Sequence, residues 1–147
     1  MIVVNAFGDI IDSETGKILA GARTQDGKSL ANSLEQMKKG NTGIAKPSLE
    51  DTTIGVVATN VSLTKAEACK VAQMAHDGLA RSINPVHTTY DGDTLFAVST
   101  GLETSRANLT LIGSLAAEVV AKAVRRAVLR AKGLPGLPSC QDLAASR

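Results

Sequence analysis

The chain has 147 residues, of which 44% are hydrophobic and 20% are charged, and its formal net charge is +2 at pH 7. These values fit one soluble globular domain that is long enough to bury a core. They give little support to a nucleic-acid-binding protein, because the chain has one tyrosine, two phenylalanines and no basic stripe beside stacking aromatics.

The sequence also argues against a membrane or secreted protein. No apolar run is long enough to span a bilayer, and the N-terminus lacks the basic-then-apolar pattern of a signal peptide. Cys69 and Cys140 are far apart and show no metal-ligand spacing, which indicates reduced thiols. We therefore expect a cytoplasmic protein with no metal, no cofactor, and neither nucleic acid nor a membrane as a partner.

The first third of the chain predicts two short strands and a long polar segment. Residues 1–6 form an apolar run that Asn5 interrupts, and residues 18–22 form a second one. Asn5 is either a turn former or an amide donor aimed into a site. Residues 23–51 are polar and rich in glycine, with a helical turn or two expected over 30–39. Such a segment is typical of a flexible linker, a lid or a processing region.

A buried strand is predicted over residues 54–59, directly after two hydroxyl residues. Ile54 to Ala58 is short, apolar and β-branched, and Thr52 and Thr53 stand at its entrance. A threonine fixed at the mouth of a strand suits a nucleophile, because a rigid backbone sets its angle of attack. Threonine is also a good strand former, so position alone favours an ordinary strand start over a nucleophile.

The next segment predicts an amphipathic helix over residues 65–81. Thr64 and Glu67 have the spacing of a capping box, in which a hydroxyl and a carboxylate three residues later cap the helix start. Apolar residues then recur at helical spacing. His76 lies on or beside this apolar face, and it is either a hydrogen-bonded structural histidine or an acid–base group.

Asp91-Gly92-Asp93 precedes a further strand over residues 94–100. The tripeptide is first of all a turn signal. Its two carboxylates can also orient a nucleophile or hold an ammonium group, whereas two carboxylates alone make a poor metal site.

The last element predicted is a long helix over residues 108–132 that stops at Gly133, followed by a loosely held tail to residue 147. The whole chain then forms a single domain with the order β–β–loop–β–α–β–α. This order is typical of an α+β or layered αβ fold.

Several of these segments together resemble the DmpA-type L-aminopeptidase/D-esterase family, which includes β-peptidyl aminopeptidases and a nylon-oligomer hydrolase. The resemblance extends from Val3 to about Leu143, and it implies that the chain is part of a four-layer αββα sandwich. It is carried by VVNAFGD (3–9), DTTIGVVATN (51–60), LTKAEACKVAQMAHDGLAR (63–81), PVHTTYDGDTLFAVSTG (85–101) and SLAAEVVAKAV (114–124).

The resemblance implies a self-processing N-terminal-nucleophile hydrolase. Family members cut themselves just before a serine or threonine, which here is Thr52, so that the bond cleaved would be Asp51–Thr52. The freed amine of Thr52 would act as base toward its own hydroxyl. Asn5 matches the family's oxyanion or positioning donor, and Asp91 and Asp93 match the pair that supports the nucleophile and its amine.

Two departures from the family pattern stand out. The relatives most like this chain carry asparagine where it has Asp51, and a carboxylate at that position can slow the acyl shift. Family members are also about twice as long, so the resemblance implies that the chain corresponds to the C-terminal part of one. Residues 52–147 would then correspond to the small subunit. An upstream large-subunit-like segment would then supply a lysine or tyrosine.

The same resemblance also implies a partner and a substrate class. We expect an upstream segment or a homo-oligomer as the partner, because the chain alone should expose strand edges and an apolar sheet face. The substrate would be a small peptide, amide or ester. Two alternatives stay open: a catalytically incomplete chain that serves as an assembly module, and an acyltransferase resembling ornithine acetyltransferase.

Overall fold

A computed structural model describes residues 1–41 and 51–145 of the chain. Over these residues it is an α+β protein, as predicted from the sequence. The strands are β1 (Ile2–Val3), β2 (Asp9–Ile11), β3 (Ile18–Ala20), β4 (Ile54–Val61), β5 (Ile83–Asn84) and β6 (Thr94–Glu103). The helices are α1 (Ser33–Lys38), α2 (Lys65–Ala80), α3 (Leu109–Arg130) and α4 (Cys140–Ala145).

The first sheet has the order β1-β4-β6 and carries the candidate site at one end. β1 runs antiparallel to β4, with Val3 opposite Ile54. β4 and β6 are parallel, and their register places Ile54 opposite Thr94. A parallel pair needs a crossover connection, and α2 lies within that connection here.

The second sheet has the order β3-β2-β5 and is antiparallel throughout. Asp9 at the start of β2 is buried. Its carboxylate accepts hydrogen bonds from the backbone N–H of Ala22 and from the N–H and hydroxyl of Ser33. This network fixes the start of α1 against the sheet.

Part of the predicted polar segment over residues 23–51 packs against this sheet. Ala31 and Ser33 are buried, and both the N–H and the hydroxyl of Ser33 donate to Asp9. The helical turns expected over 30–39 are confirmed by α1. Residues 42–50, the remainder of the predicted linker before Asp51, lie outside the described residues.

α2 begins where its capping residues predict, and α3 also has a side-chain cap. Thr64 and Glu67 form the complete capping box of α2. The Asn108 side chain accepts from the N–H of Leu111 at the start of α3. None of the helices in residues 1–41 and 51–145 is long and apolar enough to cross a membrane.

The core lies between these two helices and the two sheets. It includes Val71, Ala75 and Leu79 of α2, Val120 and Val124 of α3, and Ile83 and Leu95 of the strands. α2 and α3 approach each other closely at Gly78, where an added Cβ would collide with the Ala117 carbonyl of α3.

The predicted element order is incomplete, and several bounds differ. β2, β5 and α4 are additional elements. The apolar run over 1–6 is a strand only at Ile2–Val3, and the tail expected to be loosely held contains α4, which contacts α3. α3 ends at Arg130, and Ala131 leaves the helix with an extended backbone.

The other face of the first sheet is apolar and exposed. Side chains on a strand alternate between faces, so alternate residues of β4 and β6 point away from the helices. Phe96 is 55% exposed and Val98 is 47% exposed, beside Val3 and Ile54. The four-layer sandwich, in which a second sheet would cover this face, stays a prediction.

Candidate functional site

The Asp51–Thr52 peptide bond lies at the end of the first sheet, between two neighbouring segments. The N–H of Thr52 donates to the Asn5 carbonyl at 2.7 Å, and the Asp51 carbonyl accepts from the N–H of Gly92 at 3.0 Å. Both polar groups of this peptide bond therefore have fixed partners. The predicted cleavage site is held in one orientation by the segments that lead out of β1 and into β6.

Gly92 approaches the predicted nucleophile closely. A Cβ added to Gly92 would lie 2.6 Å from Oγ1 of Thr52, which is closer than a carbon and an oxygen can pack. The Asp-Gly-Asp turn thus passes directly beside the Thr52 hydroxyl. The sequence pattern predicts this juxtaposition, although Thr52 and Gly92 are far apart along the chain.

The Asp93 side chain is buried and holds the residue that follows Thr52. The side chain is 3% exposed. Oδ1 accepts from the backbone N–H of Thr53 at 2.8 Å, while Oδ2 lies 3.4 Å from Nδ1 of His87. Among the described residues, Oδ2 has no hydrogen-bond partner of good geometry. Asp93 therefore fixes the backbone next to Thr52 through Oδ1, while Oδ2 faces His87.

Asp91 shapes the turn itself. Its Oδ2 accepts from the backbone N–H and the hydroxyl of Thr88, both at 2.8 Å. Its Oδ1 and the hydroxyl of Thr53 are buried and, within the part of the chain that the structure describes, lack a hydrogen-bond partner. Buried polar atoms are normally paired, and exceptions concentrate at functional sites.

The structure therefore shows where these carboxylates lie, and the roles predicted for them stay predictions. The sequence predicts that Asp91 and Asp93 support the Thr52 hydroxyl and amine, and the structure brings both into the same corner as Thr52. Their hydrogen bonds, however, go to Thr88 and Thr53. Asn5 is also adjacent to Thr52, and the contact between them is made by its backbone carbonyl.

Two histidines lie beside Asp93. The rings of His76 and His87 are 5.0 Å apart between centroids. Burial lowers the pKa of His76 below its ordinary value of 6.5, and the nearby His87 lowers it further, against the opposing effect of Asp93 and Asp77. His76, on α2, thus belongs to the surroundings of the site and favours its neutral form.

His87 is the residue that sequence reasoning overlooked. It stands four residues before Asp91 in the motif PVHTTYDGD, and this proximity was the available signal. The described residues contain no group of three or more histidine, cysteine or acidic side chains arranged to hold a metal ion. The chemistry visible in the corner is that of a hydroxyl, carboxylates, imidazoles and backbone amides.

Comparison with known proteins finds a matching family and several relatives of this chain. Residues 3–140 match peptidase family S58. The chain is 37% identical over 153 residues to a protein of Mycobacterium leprae named "uncharacterized aminopeptidase", an alignment that covers 95% of this chain. A protein of the same name from Mycobacterium tuberculosis strain H37Rv is 35% identical over 97% of the chain.

A shorter match involves an enzyme with a named substrate. The 6-aminohexanoate-oligomer endohydrolase of Paenarthrobacter ureafaciens is 39% identical over 88 residues, or 52% of this chain and 25% of that protein. The chain spans 42% of the length of the Mycobacterium leprae protein and 46% of the Mycobacterium tuberculosis protein. The match over nearly all of its residues, together with the motifs around Thr52 and Asp91, shows that the chain belongs to peptidase family S58, the family of DmpA-type aminopeptidases.

Proposed function

We propose that the chain is the nucleophile-bearing part of a self-processing hydrolase, with Thr52 as the nucleophile after cleavage of Asp51–Thr52. The observation that carries the proposal is the fixation of this peptide bond between Asn5 and Gly92, with the Thr52 hydroxyl against the Asp-Gly-Asp turn. A hydroxyl and an adjacent carbonyl that cannot reorient are prepared for reaction with each other.

The processing step is an N→O acyl shift. Thr52 Oγ1 attacks the Asp51 carbonyl carbon, the carbon–nitrogen bond breaks, and the nitrogen takes the hydroxyl proton to become a free amine. Water then hydrolyses the Asp51–Thr52 ester, which releases the Asp51 carboxylate and restores the hydroxyl. The Gly92 N–H already donates to the Asp51 carbonyl oxygen, where negative charge develops during the attack.

The same hydroxyl then acts on substrates. An amine with a pKa of about 8 accepts the hydroxyl proton at neutral pH, so the freed Thr52 can activate itself. Asp91 and Asp93 favour the ammonium form that appears during turnover. The substrate class proposed is a small peptide, amide or ester, consistent with relatives named aminopeptidase and oligomer endohydrolase.

A partner segment is part of the proposal. Besides the exposed sheet face, a groove of about 460 Å³ lies between the β1 edge and α3. The apolar residues Leu111, Leu115 and Val119 line it at helical spacing, and each is at least half exposed. An upstream large-subunit-like segment, or a second copy of the chain, would cover these surfaces and complete a four-layer sandwich.

The exposed surfaces also favour a second candidate function. A chain that lacks part of its site can serve as an assembly module, in which the apolar face binds a partner and Thr52 never reacts. This candidate requires binding without cleavage, so the two functions differ in a directly measurable product.

The decisive experiment follows the Asp51–Thr52 bond by mass spectrometry in the chain alone and in the chain co-expressed with an upstream segment. The co-expressed preparation should contain a fragment that begins at Thr52 and should hydrolyse p-nitroanilides of α- or β-amino acids. Thr52→Ala should abolish both activities, because it removes the attacking oxygen, and Thr52→Ser should retain them. Cleavage of Thr52→Ala at the same bond would rule out this mechanism, and an uncut, inactive wild type in both preparations would favour the assembly module.

A further inference from the structure

We propose that His87 is a positioning residue of this site, which holds Asp93 and through it the backbone of Thr53. The inference rests on the proposed function of Thr52 and adds a residue to which that proposal gives no role. It is carried by three observations: the geometry of the Asp93 carboxylate, the backbone conformation of His87, and the neighbouring imidazole of His76.

The geometry places one carboxylate between two groups. Asp93 Oδ1 accepts from the Thr53 N–H at 2.8 Å, and Oδ2 faces Nδ1 of His87 at 3.4 Å. The His87 side chain is 39% exposed while that of Asp93 is 3% exposed, so the imidazole forms the solvent-facing side of the pair. A buried carboxylate with one oxygen otherwise unpaired is costly unless a donor faces it.

The backbone of His87 is adapted to this contact. Its φ is 54°, in the left-handed region that residues other than glycine seldom adopt. Such a conformation is energetically unfavourable and persists when its surroundings maintain it. Here it accompanies an imidazole placed against Asp93.

His76 favours this arrangement from the other side. Its ring packs against that of His87, and burial together with the adjacent imidazole lowers its pKa, so that it is neutral at pH 7. A neutral His76 does not compete as a cation for the Asp93 charge. Two charged side chains act on His76: Asp93, directly before β6, and Asp77 on α2 both oppose the lowering of its pKa.

The consequence reaches the nucleophile through the main chain. Thr53 is fully buried, and its N–H belongs to the peptide bond that follows Thr52. Fixing that peptide bond limits the ψ of Thr52 and therefore the direction of its hydroxyl. A shift of about 1 Å in a reacting group can reduce a rate on the order of a hundredfold.

Two substitutions at His87 separate the donor from the backbone conformation. Asparagine tolerates a positive φ and places an amide N–H near the position of Nδ1, so His87→Asn should keep the contact with Asp93. Glycine relieves the backbone cost but supplies no side-chain donor. In the preparation in which the wild type cleaves, we expect His87→Gly to slow appearance of the Thr52 fragment on the order of tenfold or more, and His87→Asn to stay close to the wild-type rate.

Two further readouts do not need activity. In ¹⁵N-labelled protein at neutral pH, the His87 imidazole should carry its proton on Nδ1, and Asp93→Asn should move it to Nε2, because the asparagine amide would then donate to Nδ1. Hydrogen exchange of the Thr53 amide should accelerate in His87→Gly but not in His87→Asn.

The outcomes separate the two proposals. Equal cleavage and exchange rates for His87→Gly and His87→Asn, or an Nδ1 of His87 that carries no proton in the wild type, would overturn the positioning role while leaving Thr52 chemistry intact. Absence of cleavage in the wild type would instead contradict the proposed function. The tautomer and the exchange rates would still decide whether His87 holds Asp93.

Discussion

At the residue scale, the site depends on a glycine between two carboxylates. Asp91 accepts a hydrogen bond from Thr88 of the same loop, and Asp93 accepts one from Thr53, directly before β4. These two bonds hold the Gly92 backbone against Thr52. A side chain at residue 92 would occupy the space that the Thr52 hydroxyl uses. The small residue thus has a packing reason in addition to its role in the turn.

Gly92→Ala tests this close approach. The added methyl group should displace Thr52 Oγ1 and slow cleavage at Asp51–Thr52 on the order of tenfold or more. The control is Thr89→Ala, an exposed position in the same loop. The measurement is the rate of fragment appearance by mass spectrometry, and a wild-type rate in Gly92→Ala would show that the hydroxyl does not need this position.

His76 gives a pH prediction with a definite sign. Its pKa is lowered in the folded protein, mainly by burial, so the unfolded chain binds the proton first as the pH falls. The contribution of His76 to the free energy of unfolding should be constant above about pH 7 and should decline as the pH falls below about 6.5.

Urea denaturation at about pH 7.5 and about pH 5.5 checks this expectation. The unfolding midpoint should be lower at the acidic pH, and His76→Gln, which cannot take up a proton, should reduce the difference. This window lies above that of the carboxylates whose pKa values are lowered, such as Asp12 and Glu67. An unchanged difference in His76→Gln would assign the effect to another group.

At this scale the sequence patterns give candidate residues, and the roles assigned to them stay predictions. A hydroxyl before a buried strand is compatible with a nucleophile, an Asp-Gly-Asp turn is compatible with its support, and parallel pairing of β4 with β6 places the two side by side. The partner of each carboxylate could not be predicted. It depends on the register of β4 and β6 and on the direction of His87, and neither is encoded in local spacing.

At the element scale, the long helices were the most predictable part. α2 begins directly after Thr64 of its predicted capping box, and the predicted long helix is present as α3. β2 and β5 were missed because two or three residues are too few for a periodicity to appear. β2 pairs with β3 and with β5, so these short strands depend on tertiary pairing.

The contact between α2 and α3 gives a prediction with a matched control. A Cβ at Gly78 would collide with the backbone carbonyl of Ala117, which cannot move without shifting α3. A Cβ at Gly113 would meet the side chain of Met74, which can adopt another rotamer.

We therefore expect Gly78→Ala to lower the free energy of unfolding by about 1–3 kcal/mol or more through overpacking. Gly113→Ala should cost less, since alanine favours the helix by about 1 kcal/mol and the methionine can yield. Urea denaturation of both variants provides the comparison. A smaller loss in Gly78→Ala than in Gly113→Ala would mean that the helices separate more easily than this packing implies.

At the scale of the whole molecule, the apolar face of the first sheet is exposed and has no covering element among the described residues. Its exposed side chains predict that the chain self-associates or aggregates unless a partner covers them. Phe96→Ser combined with Val98→Thr should lower the apparent molecular mass in light scattering of the isolated chain. Leu134→Ser, at an exposed position outside the sheet, is the control. A stable wild-type monomer at high concentration would contradict the need for a partner.

The strand composition of the two sheets has a consequence for any protein cut at Asp51–Thr52. The first sheet joins β1 from before the bond to β4 and β6 from after it, and the second joins β2 and β3 to β5 in the same way. Scission would therefore leave two interleaved polypeptides that share both sheets. They should elute together on gel filtration and separate only in denaturant, so maturation would change the covalent chain without releasing either piece.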